Sequence, residues 1–373
     1  MIPTRTYKEP YETFYKLNVG LSLDEYETEE AMTKILYEQE EQKRIILMTT
    51  LLNGIMIKGP TINEISGLLN ASLGMDEILV KDKLKLKVPD NEILVGVAGS
   101  GKKGVKTINI TSTACFVAAA CGVNIAKACS HSTSSKTGSS DFLDLCGIDI
   151  NIPFKKKQEI LDKYHISFFS IEDTTPKFAE VYGGVFYIPH AMSFALAGLS
   201  FPVEIDALAY GLAHPNVKLS AEVLKKYGIN NALVYSLSCD GVHYLDELLP
   251  VGSANLVRIK DGEVQKTISA DIQEGLNITS AFDLKNVREK ESKTENVAAS
   301  LKILKGEGSE CQIDAICINA AVFLLLAKKV ESLDEGYHLA KDVLLGTNKV
   351  WETFLNVVEL YGGSKEKIFE LVK

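Results

Sequence analysis

Two stretches of this chain gather the side chains that bind and neutralise anions. In the first, the apolar run Glu92-Ile-Leu-Val-Gly-Val-Ala98 leads into Gly99-Ser-Gly-Lys-Lys-Gly104 and then into Thr111-Ser-Thr-Ala-Cys-Phe-Val-Ala-Ala-Ala-Cys121. This order predicts a strand, a glycine loop and a helix of small residues. A glycine loop lets backbone N–H groups close on phosphate oxygens, and the following helix N-terminus adds donors and partial positive charge. Thr107, Asn109, Thr111 and Ser112 bring hydroxyls and an amide to that entrance. Lys102, Lys103 and Lys106 add three cations within five residues, in a chain whose formal net charge is −9. A GxG with nearby lysines also describes a solvated surface turn, so spacing alone leaves both readings open. The second stretch, from Lys127 to Asp141, holds six serines, two threonines and two lysines, a composition able to wrap a polyanion. Flexible linkers share that composition, but here apolar strand and helix segments flank the loop tightly.

The elements that must position these residues fall into two regions. From about residue 22 to 78 the pattern is helical. Ser22-Leu-Asp-Glu25 and Thr61-Ile-Asn-Glu64 have capping-box spacing, Pro60 precedes the second, and Ile45, Ile46, Met48, Leu51, Leu52 and Ile55 recur at helical spacing. Past residue 90, strands and helices alternate: a strand at Val123–Ala126, a helix from about 141, a helix Ala221–Tyr227 and a strand Asn231–Tyr235. Leu256–Ile259 and Glu263–Ile268 flank Lys-Asp-Gly262 as a hairpin would, and the chain is helical from 294, with a buried helix at Ile313–Val330. The pattern predicts an α/β protein, a large α/β domain with a central mixed sheet plus a small all-helical N-terminal domain. The expected boundaries are 1–88 and 89–373.

Composition narrows the function. At 373 residues, 46% hydrophobic and 24% charged, the chain has ample core for both regions. An acidic balance (pI about 5.4) argues against a nucleic-acid or anionic-membrane surface, which needs a basic face. The seven cysteines show no CxxC and no metal spacing with the six histidines, so reduced thiols in a cytoplasmic protein are expected. MIPTRTYKEPYETFYKL has no apolar signal core, and uncharged runs such as Ile45–Ile57 fall short of the roughly 20 residues that span a bilayer.

The segment GSGKKGVKTINITSTACFVAAACG resembles the GTGGDGxNTxNISTxxAFVAAACG pattern of the anthranilate phosphoribosyltransferase family, and KACSHSTSSKTGSSD resembles its KHGNRSxSSKSGSxD. The match keeps register from Gly99 to Asp141, and Tyr244-Leu-Asp-Glu-Leu248 resembles the family's metal motif. Weaker similarity extends over nearly the whole chain. The resemblance implies a Mg2+-dependent transfer from phosphoribosyl diphosphate (PRPP) to a nitrogen acceptor, by a homodimer. It places Gly99, Lys102, Lys103, Thr107, Asn109, Thr111, Ser112, Lys127, Ser130, Ser134, Ser135 and Ser139 around the phosphates. Thr111, Asp246 and Glu247 would serve the metal, since Mg2+ takes oxygen ligands and binds largely through substrate phosphates.

The departures from the pattern cluster where the acceptor would sit. Lys102-Lys103 replaces Gly-Asp, Ala128-Cys129-Ser130 replaces His-Gly-Asn, and Thr175-Pro176 replaces a histidine–proline element. The arginine that the family uses for the acceptor carboxylate aligns near Phe186, and positions 45–257 contain no arginine at all. A bidentate carboxylate contact relies on that guanidinium fork. Ala128, Thr175, Phe186 and His190 are therefore the expected acceptor pocket, in a hinge segment spanning 171–205, and the expected acceptor is not anthranilate. Lys177 is the nearest candidate for a substitute cation, and His243 is of interest for its place just before the metal motif. Other readings stay open: a true anthranilate phosphoribosyltransferase, a nucleoside or nucleotide phosphorylase, and a non-catalytic nucleic-acid-binding relative, the last opposed by the acidic pI.

Overall fold

A computed structural model describes residues 10–132, 135–278 and 281–373. Among the described residues, four helices precede the first strand: α1 (Tyr11–Asn18), α2 (Glu25–Leu36), α3 (Glu41–Lys58) and α4 (Ile62–Gly74). The start of α4 is the predicted one, with Thr61 and Glu64 capping each other's backbone N–H groups. Glu64 is fully buried, and it also accepts the Leu23 N–H at 3.0 Å and the Lys58 ammonium at 3.0 Å. One carboxylate therefore ties three helices together. The box of α2 lies two residues beyond the predicted Ser22–Glu25, at Asp24 and Glu27. Starting there lets Leu23 be buried against Glu64 and turns Ala31, Met32, Ile35 and Leu36 inward.

The strands that follow are β1 (Leu94–Gly99), β2 (Asn124–Cys129), β3 (Ile166–Ser170), β4 (Ala207–Gly211), β5 (Ala232–Ser238), β6 (Tyr244–Leu245), β7 (Ser253–Lys260), β8 (Glu263–Val264) and β9 (Ile268–Ala270). They form one sheet of order β3-β2-β1-β4-β5-β7-β8, with β6 beside β5 and β9 beside β7. β1 to β5 are parallel and the rest antiparallel, so the sheet is mixed, as expected. The predicted hairpin joins β7 to β8 through Asp261 (φ 51°) and Gly262 (φ 78°), the paired left-handed residues of a two-residue turn.

The connecting helices are α5 (Ile110–Ala120), α6 (Ser139–Leu145), α7 (Phe154–Tyr164), α8 (Ile171–Thr174), α9 (Pro176–Tyr182), α10 (Leu196–Leu199), α11 (Val217–Lys226) and α12 (Ile272–Gly275). The C-terminal set is α13 (Lys293–Leu304), α14 (Glu310–Leu326), α15 (Leu333–Gly346), α16 (Lys349–Leu360) and α17 (Lys365–Val372). Each parallel strand alternates between two cores. Val95, Val97, Ala207 and Ala209 join α5 and the C-terminal helices, whereas Leu94, Ala98, Leu208 and Tyr210 join α1 to α4 and α9 to α11. Burial on both faces is why these strands read as unbroken apolar runs. The chain crosses from β1 to β2 on one side and places β4 on the other. At such a switch point the carboxyl ends of the strands leave a crevice.

Candidate functional site

A cavity of about 440 Å³ occupies that crevice. β1 and the loop after it bring Gly99, Lys102, Lys103, Lys106 and Thr107 to its wall, and the start of α5 brings Asn109, Thr111 and Ser112. β2 and its loop supply Lys127, Ala128, Ser130, Ser135 and Ser139. Thr175, His190, Asp246 and Glu247 complete the predicted residues on this wall. Ser134 lies outside the described residues. Phe186 is off the wall: it is buried and stacks on the far member of an aromatic pair, 5.1 Å from the Tyr182 ring. Its aligned position puts it in the right segment but behind the residue that reaches the cavity.

One end of the cavity is set by the start of α5 and by Lys127. Asn109 precedes α5 without capping it, so the first-turn N–H groups have no side-chain partner from the cap. Its amide is turned away, donating to the Gly138 carbonyl at 3.2 Å and the Thr137 carbonyl at 3.4 Å, which leaves its Oδ1 buried with no partner among the described residues. Lys127 is buried and its ammonium meets only the Ala128 carbonyl, with no carboxylate within 4.0 Å among the described residues. A buried cation in that state is stabilised by an incoming anion. Asp141 holds the serine loop, accepting the Ser132 and Gly138 N–H groups at 2.9 and 2.8 Å and the Lys293 ammonium at 2.7 Å.

β6 carries Asp246 and Glu247 to the ends of β1 and β4. The approach is close enough to require glycine: a Cβ on Gly211 would stand 1.9 Å from the Asp246 carbonyl oxygen, and one on Gly99 2.7 Å from its Oδ2. Asp246 Oδ2 accepts the Gly101 N–H at 2.8 Å, and its other oxygen makes no hydrogen bond among the described residues. Glu247 is different. Lys103 Nζ lies 2.6 Å from one oxygen and the Thr107 hydroxyl 2.9 Å from the other. Burial pushes the Glu247 carboxyl above its usual range, against the pull of Lys103. For Lys103 burial acts downward, but Glu247 and Asp246 outweigh it and hold the ammonium above the usual lysine value. The pair is an ion pair. No three His, Cys, Asp or Glu side chains among the described residues form a preformed metal cage. Asp246 does fit a Mg2+ ion ligated mainly by substrate phosphates and water, whereas Glu247 can join only if Lys103 moves aside.

The other end is aromatic. Phe178 and Tyr182 of α9 stack at 5.1 Å, and His190 Nε2 lies 2.7 Å from the Tyr182 hydroxyl. Tyr210 lines the same end and donates to the Ser193 carbonyl at 2.6 Å. Burial drives His190 well below its usual value, with the Lys102 charge adding to the effect, so the ring is neutral at pH 7. Its Nδ1 is buried and unpartnered among the described residues.

Residues 91–347 match a family described as "Glycosyl transferase family, a/b domain". The chain belongs to this family. Among the curated relatives of this glycosyltransferase is the anthranilate phosphoribosyltransferase of Paramagnetospirillum magneticum, 31% identical over 88% of this chain and 90% of the relative. That of Shewanella amazonensis is 30% identical over 84% and 88%. The solved anthranilate phosphoribosyltransferase of Thermus thermophilus shares its fold with a TM-score of 0.73 at 24% identity, over 93% of this chain and 98% of that one. The enzyme from Saccharomyces cerevisiae, solved in complex with PRPP and Mg, matches with a TM-score of 0.71 at 18% identity, over 94% and 97%.

Several expectations for this glycosyltransferase shift. His243 does not line the main cavity; it is exposed and paired with Asp240 at 2.7 Å. Lys177 is also off the wall, and its backbone N–H is bound by Asp76 at 3.0 Å. Three contributors escaped sequence reasoning. Tyr182 and Tyr210 sit in ordinary apolar text and reach the cavity only through packing. Asn319, fully buried in α14, clamps Leu248 by accepting its N–H at 3.1 Å and donating to its carbonyl at 2.8 Å, which pins the segment after Glu247. An asparagine inside the apolar run Ile313–Leu326 was the available signal. No helix among the described residues is long and apolar enough to cross a membrane.

Proposed function

We propose that this glycosyltransferase moves a phosphoribosyl group from PRPP to the amino group of an aromatic amino acid of the anthranilate type, releasing pyrophosphate. The names of its relatives favour anthranilate over the different acceptor that the missing arginine suggests. The observation that carries the reading is the two-ended cavity, with the uncapped start of α5 and the buried Lys127 ammonium at one end and the Phe178–Tyr182–His190 wall at the other.

The pyrophosphate lies against the N–H groups of the Gly99 loop and of α5, with the hydroxyls of Thr107, Thr111, Ser112, Ser135 and Ser139 and the side chain of Lys127 completing the cradle. Mg2+, when bound, neutralises charge that develops on the leaving group, and Asp246 is the residue best placed to hold it. The planar acceptor stacks against the aromatic end, which aims its nitrogen at the sugar and keeps water from competing. We also propose that residues 1–88 act as a helical domain beside 89–373, with 171–205 as the hinge that closes the cavity, and that the protein is a homodimer, which light scattering tests.

Calorimetric titration with PRPP, with and without Mg2+, tests the donor, and the loss of anthranilate fluorescence on addition of PRPP and Mg2+ tests the acceptor. Magnesium-enhanced PRPP binding that disappears in Asp246→Asn is the expected result. Failure to bind PRPP would overturn the reading. Release of free base from a nucleoside on addition of inorganic phosphate would move it to phosphorolysis.

A further inference from the structure

The aromatic end lacks the cation that an anionic acceptor needs, unless one of the cavity's lysines provides it. No arginine occurs at positions 45–257, and none among the described residues lines the cavity. Lys103 is taken by Glu247, and Lys127 sits on β2 at the anion end. Lys102 faces the other way. Its Nζ lies 5.6 Å from the centroid of the Tyr182 ring, and its charge reaches His190. No carboxylate lies within 4.0 Å of it among the described residues, although burial is its largest perturbation and brings it to about 8. A half-buried ammonium beside an aromatic face gains part of its compensation from the ring quadrupole. Asp246 supplies a further part from beyond 4.0 Å, and the remainder is left for a ligand.

Two further observations point the same way. Lys102 has a φ of 55°, next to Gly101 at 62°. A left-handed backbone is strain-free only for glycine, and a side chain kept there costs about 1–2 kcal/mol; such strain is commonly tolerated where the side chain serves a ligand. The orphaned His190 Nδ1, buried beside Lys102, is a second polar atom without a partner among the described residues. An ortho-amino acid on a ring offers an anion and an adjacent N–H, which can satisfy both groups at once.

We infer that Lys102 is the cation that binds the acceptor's carboxylate, the role for which the missing arginine leaves no guanidinium. This rests on the phosphoribosyl-transfer reading and adds to it the residue that selects an anionic acceptor. Lysine serves as a point charge, so the contact does not impose the planar two-bond geometry of a guanidinium fork.

The test compares anthranilate with its uncharged amide, 2-aminobenzamide, in the wild type, Lys102→Met and Lys102→Arg. Methionine keeps the length and the backbone demand of the site and removes the charge. The wild type should favour the acid over the amide by roughly 30-fold or more in kcat/KM, as expected for a desolvated charge pair. Lys102→Met should bring that ratio to within about threefold of unity, Lys102→Arg should keep most of it, and calorimetry should find the loss on the acceptor rather than on PRPP. A Met variant that still prefers the acid overturns the inference. So does one whose PRPP affinity falls together with acceptor affinity, because Lys102 then belongs to the phosphates. A wild type that binds PRPP but uses neither compound overturns the inference and leaves the donor standing, whereas one that binds no PRPP overturns the phosphoribosyl reading itself.

Discussion

Asp76→Ala tests how the helical N-terminal region supports the acceptor end. Asp76 follows α4 and is buried, with Oδ1 accepting the Lys177 N–H and Oδ2 the Phe178 N–H, both at 3.0 Å. These are the second and third residues of α9, whose own cap residue, Thr175, makes no side-chain cap bond. The cap is therefore supplied from about a hundred residues away in the chain. A hydrogen bond to a charged group contributes about 1.5–3 kcal/mol, so losing two, with water replacing part of each, should cost about 3 kcal/mol. Asp76→Asn keeps one acceptor oxygen and should lose about half as much. α9 carries Phe178 and Tyr182, so fraying its first turn loosens the aromatic wall and leaves the start of α5 untouched. Urea denaturation should give the stability loss at unchanged m-value, and steady-state kinetics should show acceptor KM rising at least several-fold with PRPP affinity conserved. An Ala variant within roughly 0.5 kcal/mol of wild type, the usual spread of surface substitutions, would refute the capping argument. Equal losses of acceptor and PRPP affinity would refute the assignment of α9 to the acceptor end.

The remaining predictions concern the loop and strand ends around it. Lys103→Met leaves a buried carboxylate unpaired and should destabilise by about 3–5 kcal/mol; chemical denaturation of the Lys103→Met/Glu247→Gln pair should recover most of it, and a double mutant no better than the single would refute the pairing. Gly211→Ala drives a Cβ into the Asp246 carbonyl and should cost stability and magnesium-dependent PRPP binding together, whereas Gly74→Ala, with open space around it, should stay within about 1 kcal/mol. Carboxylate binding should also depend on pH. Burial, with Lys106 adding to it and Asp246 opposing, brings Lys102 to about 8, with Tyr182 and the neutral His190 as its other neighbours. Affinity for anthranilate should therefore hold below pH 7 and fall as pH rises through about 8 in the unliganded enzyme, with the fall absent in Lys102→Arg; calorimetry showing constant affinity up to about pH 9.5 would exclude a titrating lysine.

Local chemistry made part of this protein legible. The strand, glycine loop and small-residue helix at 93–121 follow from residue type and neighbour spacing, as do the Thr61–Glu64 cap and the Asp261-Gly262 turn. Each is decided within a few residues, where propensity and hydrogen bonding act directly. Expected and observed registers part where a tertiary contact chooses between equals. The α2 cap sits at Asp24 rather than Ser22 because Leu23 is buried against Glu64, forty-one positions away.

Contiguous residues were enough to show an α/β protein with a glycine loop after a strand, a serine-rich loop and the adjacent carboxylates Asp246 and Glu247, whereas packing brings the three into one cavity. It takes packing to tell the two lysines of the glycine loop apart. Lys102 and Lys103 are neighbours and chemically identical, yet one pairs with Glu247 at 2.6 Å and the other lies over Tyr182 at 5.6 Å. Their partners come from strands and helices some 80 to 145 positions away, and the left-handed turn at Gly101–Lys102 bears on how each residue is presented. Phe186 and Tyr182 differ in the same manner, since α9 packing decides which ring reaches the cavity. Long-range contact, and the burial that comes with it, sets the charge environment of each side chain, and spacing along the chain carries no record of it.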